Sequence, residues 1–136
     1  MSKFESEIKT INHNINTVYE KLSDLSNLEK VKDKIPQDKL KNIEFDADSF
    51  RFTVDPVGKV GLRIIEKEAP KTIKFKSELA PIDFFVWIQL KETEPNATKV
   101  KLTLEADLNP FIKGMVSKPL QEAIDKLADL IAGFPY

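Results

Sequence analysis

Apolar and polar residues alternate from Phe4 to Thr10, with Phe4, Ser6, Ile8 and Thr10 set against Glu5, Glu7 and Lys9. A two-residue period places these sets on opposite faces of a strand, one drier than the other. The period then changes. Asn12-His13-Asn14 supplies short polar side chains able to cap a helix, and Ile15, Val18, Tyr19 and Leu22 follow at helical spacing. Ser23-Asp24 can cap a further turn, and Leu25, Leu28 and Val31 continue the apolar spacing. Ile35-Pro36 ends it, because a residue before proline avoids helical geometry. Two short helices are therefore predicted after the first strand.

From Ile43 to Leu108 the period returns to two, in runs divided by turn chemistry. Ile43 and Phe45 lead into Asp46-Ala47-Asp48-Ser49. Phe50, Phe52 and Val54 then share a face up to Asp55-Pro56-Val57-Gly58. Val60, Leu62 and Ile64 form the next run. Ala69-Pro70 turns the chain into Ile73, Phe75, Ser77 and Leu79, and Ala80-Pro81 marks another corner. Phe84, Val86, Ile88 and Leu90 oppose Phe85, Trp87 and Gln89. After Glu94-Pro95-Asn96, Val100, Leu102, Leu104 and Ala106 oppose Lys99, Lys101, Thr103 and Glu105. Aliphatics on one face and lysines on the other predict an antiparallel meander of six strands, wet on one side.

The last element opens with Asn109-Pro110, a capping side chain before the helix position where proline is best tolerated, and runs to about Ala132 before Gly133. Its apolar stripe includes Phe111, Ile112, Met115, Val116, Leu120, Ala123, Ile124, Leu127, Leu130, Ile131 and Phe134. So wide a stripe calls for a concave partner. Pro119 lies within it and predicts a kink or break.

At 136 residues the chain is long enough for one domain, 1–136, with one core. Lysine and arginine number 21 and aspartate and glutamate 22, so there is no large field of one sign to steer a nucleic acid. There is no cysteine and only one histidine, which leaves almost nothing from which to build a metal or haem site, and no cofactor is expected. Met1 to Thr10 lacks the apolar run of a signal peptide, and no stretch approaches about 18 apolar residues, so a cytoplasmic protein without stable membrane insertion is expected.

Strand, two short helices, six-strand meander and long terminal helix together resemble the helix-grip fold of the START, polyketide-cyclase and birch-pollen-allergen superfamily, the SRPBCC proteins. The words that carry the resemblance are NINTVYEKLSDLSNL, Asn14 to Leu28, and LNPFIKGMVSKPLQEAIDKLADL, Leu108 to Leu130. Within the superfamily the chain is most similar to small polyketide-cyclase-like proteins that stand alone. The Gly-rich loop of the pollen-allergen branch is replaced here by FDADSF, and no residue pattern of the true cyclases is present. The resemblance implies an α+β fold in which a curved antiparallel sheet of about seven strands wraps the C-terminal helix. It also implies a space between them for a small apolar ligand, whether lipid, aromatic or polyketide-like.

Phe50, Phe52, Leu62, Phe75, Phe84, Val86 and Val100, facing Met115, Val116, Leu120 and Ile124, would line that space. The same residues also describe a filled core. Arg63 and Asp83 interrupt apolar strands and are candidate anchors for a ligand head group, or for proton transfer in a cyclase- or hydratase-type enzyme, although alternation also turns such residues outward. Phe85 and Trp87 fall on the opposite face, where a dimer or a partner could use them if packing does not cover them. His13 reads as a cap or a solvated side chain, Tyr19 as a surface phenol, and the pairs Asp46/Asp48 and Glu66/Glu68 as solvated turn or strand-end residues. No nucleophile and base stand together, so no catalytic residue is assigned. The entrance to any cavity is expected between the Pro119 stretch and the loops at Asp55 to Gly58 and Ala80 to Asp83, where proline and glycine thin the wall.

Overall fold

The structure is a computed structural model, and it describes residues 2–34, 41–54, 58–78 and 82–136. The first strand is two strands, β1 (Ser2–Glu5) and β2 (Lys9–Ile11). Helix α1 (Ile15–Leu22) and a 3-10 helix (Leu25–Lys34) follow. The meander is β3 (Lys41–Phe45), β4 (Ser49–Val54), β5 (Gly58–Glu68), β6 (Thr72–Ser77), β7 (Phe84–Glu94) and β8 (Ala97–Ala106), and α2 (Pro110–Ala132) closes the chain. These strands form one antiparallel sheet in the order β1-β8-β7-β6-β5-β4-β3, with β2 continuing β1 along β8. This is the expected α+β helix-grip arrangement.

The division of the first strand corrects its predicted faces. Glu5 pairs with Thr103, but Lys9 pairs with Val100, so the register slips by one residue between them. Ser6 makes the slip tolerable: its N–H donates to the Leu102 carbonyl at 2.9 Å, and its hydroxyl accepts from the Leu102 N–H at 2.9 Å. Such a bulge carries the following side chains to the other face. Ile8 is consequently 63% exposed, and Ile11, two per cent exposed, enters the core.

Both helix starts follow from local chemistry. Asn14 Oδ1 accepts from Thr17 N–H, and Asn109 Oδ1 from Ile112 N–H, each at 2.9 Å, which satisfies a donor that the first turn cannot pair internally. Helix α2 lies against β1, β2 and β8. It is held there by Val116, Leu120, Ile124 and Ala128 on its buried face, by Gln121 donating to the Glu5 carbonyl at 2.9 Å, and by the Lys9–Asp129 ion pair at 3.0 Å. The helix runs through Pro119 without the expected break. This turn is at the surface, where water can serve the carbonyl that proline leaves without a donor.

The first turns of α2 correct a second expectation. Phe111 is 78% exposed and Met115 57%, so only the face of the helix that carries Ile112, Val116, Leu120 and Ile124 is covered.

Candidate functional site

Among the described residues, two cavities lie between sheet and helices. The larger, ≈ 90 Å³, is walled by Phe50, Leu62, Phe75, Val86, Ile88 and Leu102 from the sheet and by Leu127, Leu130, Ile131 and Phe134 from the end of α2. Its remaining wall is Leu22 of α1 with Leu25, Leu28 and Val31 of the 3-10 helix. The smaller, ≈ 30 Å³, lies under Leu120, Ala123 and Ile124 and is bounded by Phe52, Phe84, Leu104 and Ile82. A depression of ≈ 260 Å³ at the β3–β5 edge has a polar lining that includes Arg51, whose Nε pairs with Glu44 at 3.6 Å.

The wall of the larger cavity is apolar because alternation on β4 to β8 directs every second side chain inward, where Phe50, Phe75, Val86 and Leu102 are each at most six per cent exposed. Its polar residues are Lys21, Asp24 and Asn27, all from the junction of α1 with the 3-10 helix. Asp24 is exposed, so the cavity meets solvent here.

The junction is firmly tied. Asn27 Nδ2 donates to the Lys21 carbonyl at 3.0 Å and to the Asp24 carbonyl at 3.1 Å. The Asp24 carboxylate accepts from the Ser26 hydroxyl at 2.6 Å and from the Ser26 N–H at 3.0 Å, and these bonds hold its pKa below the usual carboxylate value. Leu25 N–H donates to the Ala47 carbonyl at 2.9 Å, so the β3–β4 turn braces the 3-10 helix. That turn is itself shaped by Asp46, whose carboxylate accepts from the Asp48 and Ser49 N–H groups and from the Ser49 hydroxyl, bonds that lower its pKa.

At the other end of the cavity, Phe134 is buried beyond the last turn of α2, and the Tyr136 ring packs on it with centroids 4.9 Å apart. The Tyr136 hydroxyl donates to the Ile131 carbonyl at 2.7 Å, and burial pushes its pKa up. His13 is exposed and lies 5.6 Å from the Tyr136 ring. Its carbonyl accepts from Thr98 Oγ1 at 2.9 Å, and the cap of α1 is Asn14. Tyr19 is half-buried against the core, and desolvation raises its pKa.

The candidate residues separate clearly. Phe50, Leu62, Phe75 and Val86 line the larger cavity, while Phe52, Phe84, Leu120 and Ile124, again with Leu62 and Val86, line the smaller. Val116 and Val100 are buried but border neither cavity. Met115 is outside, because it lies off the face of α2 that buries Val116, Leu120 and Ile124. Arg63 and Asp83 are both exposed, and Arg63 Nε pairs with Glu78 at 2.9 Å on the outer face, as strand alternation dictates. Neither can anchor a ligand between sheet and helix. Phe85 and Trp87 are half-buried on that outer face, with Lys74 Nζ 4.8 Å from the Phe85 ring centroid and 5.3 Å from that of Trp87, so an ammonium roofs the aromatic pair.

The sequence reading missed the 3-10 helix as cavity wall, together with Ile88, Leu102 and the end of α2. The signal was present. Leu25, Leu28 and Val31 recur at a strict spacing of three, which stacks side chains along one edge of a 3-10 helix. Ile82, beside the entrance predicted near Pro119, lines the smaller cavity, and the larger one meets solvent at Lys21 to Asn27. Residues 55–57 and 79–81 of the two loops named for that entrance lie outside the described residues.

No family model matches the sequence, and no curated protein matches it. Solved structures do. A START superfamily protein from Mycobacterium smegmatis superposes with a TM-score of 0.69 at 13% identity, covering 96% of this chain and 94% of its own. Norcoclaurine synthase from Thalictrum flavum, in complex with dopamine and hydroxybenzaldehyde, gives 0.73 at 14% identity, covering 96% of this chain and 84% of the synthase. A protein from Thermus thermophilus gives 0.67 at 19%, covering 96% of this chain and 94% of its own. The chain therefore has the START-like helix-grip fold. No helix among the described residues is long and apolar enough to cross a membrane.

Proposed function

We propose that this protein binds a small apolar molecule, without catalysing its conversion, in the cavity between the sheet, the 3-10 helix and the end of α2. The observation that carries this reading is the cavity wall, which is formed by aliphatic and aromatic side chains, with ionisable groups only at its mouth. Burial of apolar surface then supplies the affinity. The size of the space narrows the ligand. At ≈ 90 Å³ it is smaller than the cavity of about 150 Å³ that takes up benzene in an engineered protein core. A short alkyl chain fits with little movement and a single ring with a modest yielding of the wall, whereas a membrane lipid or a multi-ring polyketide requires the 3-10 helix to swing out.

The fold alone does not decide between binding and catalysis. Norcoclaurine synthase is an enzyme on this fold. The enzymatic alternative for this chain rested on Arg63 and Asp83, and both side chains lie outside the cavity. Titration with p-xylene and with indole, followed through methyl NMR shifts, tests the binding reading. Shifts should concentrate on Leu28, Val86, Leu127 and Ile131, and Ile131→Trp, which fills the space, should abolish them while leaving a cooperative unfolding transition. Absence of shifts in the wild-type protein with either compound would reject the proposal.

A further inference from the structure

We infer that the ligand carries an anionic head group, a carboxylate on an apolar body, and that Lys21 recognises it at the cavity mouth. The inference rests on the binding reading above and adds the class of molecule. It follows from which polar groups at the mouth have bonding capacity left. Asp24 has one carboxylate oxygen, Oδ1, engaged by Ser26 through two bonds and the Lys67 ammonium near enough to stabilise its charge, and Asn27 has its amide nitrogen engaged by the carbonyls of Lys21 and Asp24. The Lys21 ammonium, with three donors, makes no hydrogen bond or ion pair with any described residue. Lys21 is half-buried in the last turn of α1, and its stem contributes to the cavity wall. A lysine so placed keeps its methylenes on apolar surface and its charge at the water boundary, where it is free to meet an anion.

The other charge at the mouth argues for the same geometry. Ser26 holds Asp24 Oδ1 toward the start of the 3-10 helix and Lys67 is the cation that acts on that carboxylate, so Lys21 is left unneutralised. A cationic ligand would find only Asp24, whose charge is already shared with the Lys67 ammonium. A neutral acceptor would gain a hydrogen bond from the ammonium but no pairing of charges. An apolar acid gains both the dry wall and a charge-assisted bond, which is stronger than a neutral one.

The test compares 4-ethylbenzoate with its uncharged amide, 4-ethylbenzamide, by calorimetry on the full chain. The two share an apolar body, so their affinity ratio isolates the head group. The wild-type protein should favour the acid by about tenfold, a typical gain for a hydrogen bond to a charged group at a partly solvated site. Lys21→Met, which keeps the stem and removes the charge, should bring the ratio close to one and leave the amide bound. Asp24→Asn should raise the ratio. Equal binding of acid and amide by the wild type, or an unchanged ratio in Lys21→Met, would overturn the head-group inference while leaving apolar binding in place. Failure of both compounds to bind the wild type would instead remove the reading on which it rests.

Discussion

The two cavities beneath α2 are built on the same sheet and share Leu62, Val86 and Leu127, yet one is about three times the size of the other. The difference lies in the roof. Over the small cavity, α2 packs directly on the sheet, with Leu120 and Ile124 fixed on an α-helical face and tied to β1 and β2 through Gln121 and Lys9. Over the large one, α2 shares the roof with a ten-residue 3-10 helix, much longer than the three or four residues over which that geometry is usually sustained. Its hydrogen bonds are less well aligned than those of an α-helix, and of its three apolar side chains over the cavity Val31 is buried while Leu25 and Leu28 are only half-buried. A cavity persists where the covering element is least able to pack down.

The sharpest way to break this comparison is to truncate each roof. Ile124→Ala and Leu120→Ala, over the small cavity, should each cost about 2–5 kcal/mol in urea unfolding, through lost transfer energy and an enlarged void. Leu28→Ala, over the large cavity, should cost about 1 kcal/mol, because the side chain is half-buried and borders space already open. Equal losses would show that the two roofs are packed alike.

Pro119 sits above the small cavity only. Pro119→Ala restores a donor for the Met115 carbonyl and removes a ring from the helix interior, and should raise stability by up to about 3 kcal/mol without changing ligand affinity at the far cavity. A change in affinity would join the two spaces functionally.

Caps separate the roofs further. Asn14→Ala removes the cap of α1, which leads into the large cavity's roof, and Asn109→Ala the cap of α2. Each should cost about 1 kcal/mol, but only Asn14→Ala should speed amide exchange at Leu22 to Leu28. In the exposed first turns of α2, Phe111→Ser and Met115→Ser should stay within about 0.5 kcal/mol of wild type. A larger loss would mean that this end is covered.

Acid should act on the large cavity's roof first. Asp24 and Asp46 both have folded-state pKa values lowered from 3.8, so what they contribute is present above that value and lost as pH falls through their folded values. Their bonds brace the 3-10 helix directly and through Ala47. Amide exchange at Leu25 should therefore rise at acid pH before that at Ile124. Simultaneous loss of protection would place both roofs in one cooperative unit.

Much of this architecture was legible in the sequence. Asn14 and Asn109 marked the helix starts, Gly133 the last stop, and the change of period from three-to-four to two marked the passage into the meander. Alternation also separated the inward set, Phe50, Phe75, Phe84 and Val86, from the outward Phe85 and Trp87. These are local facts, fixed by the steric and hydrogen-bonding preferences of a few neighbouring residues, and a sequence carries them without knowing its fold.

What tertiary structure decided was which apolar faces find a partner. Met115 and Val116 read alike as parts of one stripe, but only one face of α2 finds a partner, and only the second is buried. Strand one reads as continuous until β8 is set beside it, when the Ser6 bonds to Leu102 shift the register and exchange Ile8 for Ile11 in the core. Lys74 roofs Phe85 and Trp87 because β6 and β7 pair in one register. Lys21 borders a cavity because α1 hands the chain to a 3-10 helix that faces the end of α2, more than a hundred residues later. Each of these depends on side chains brought together over long separations. Local periodicity gives every element a face to bury, and the assembled chain determines which of those faces are covered.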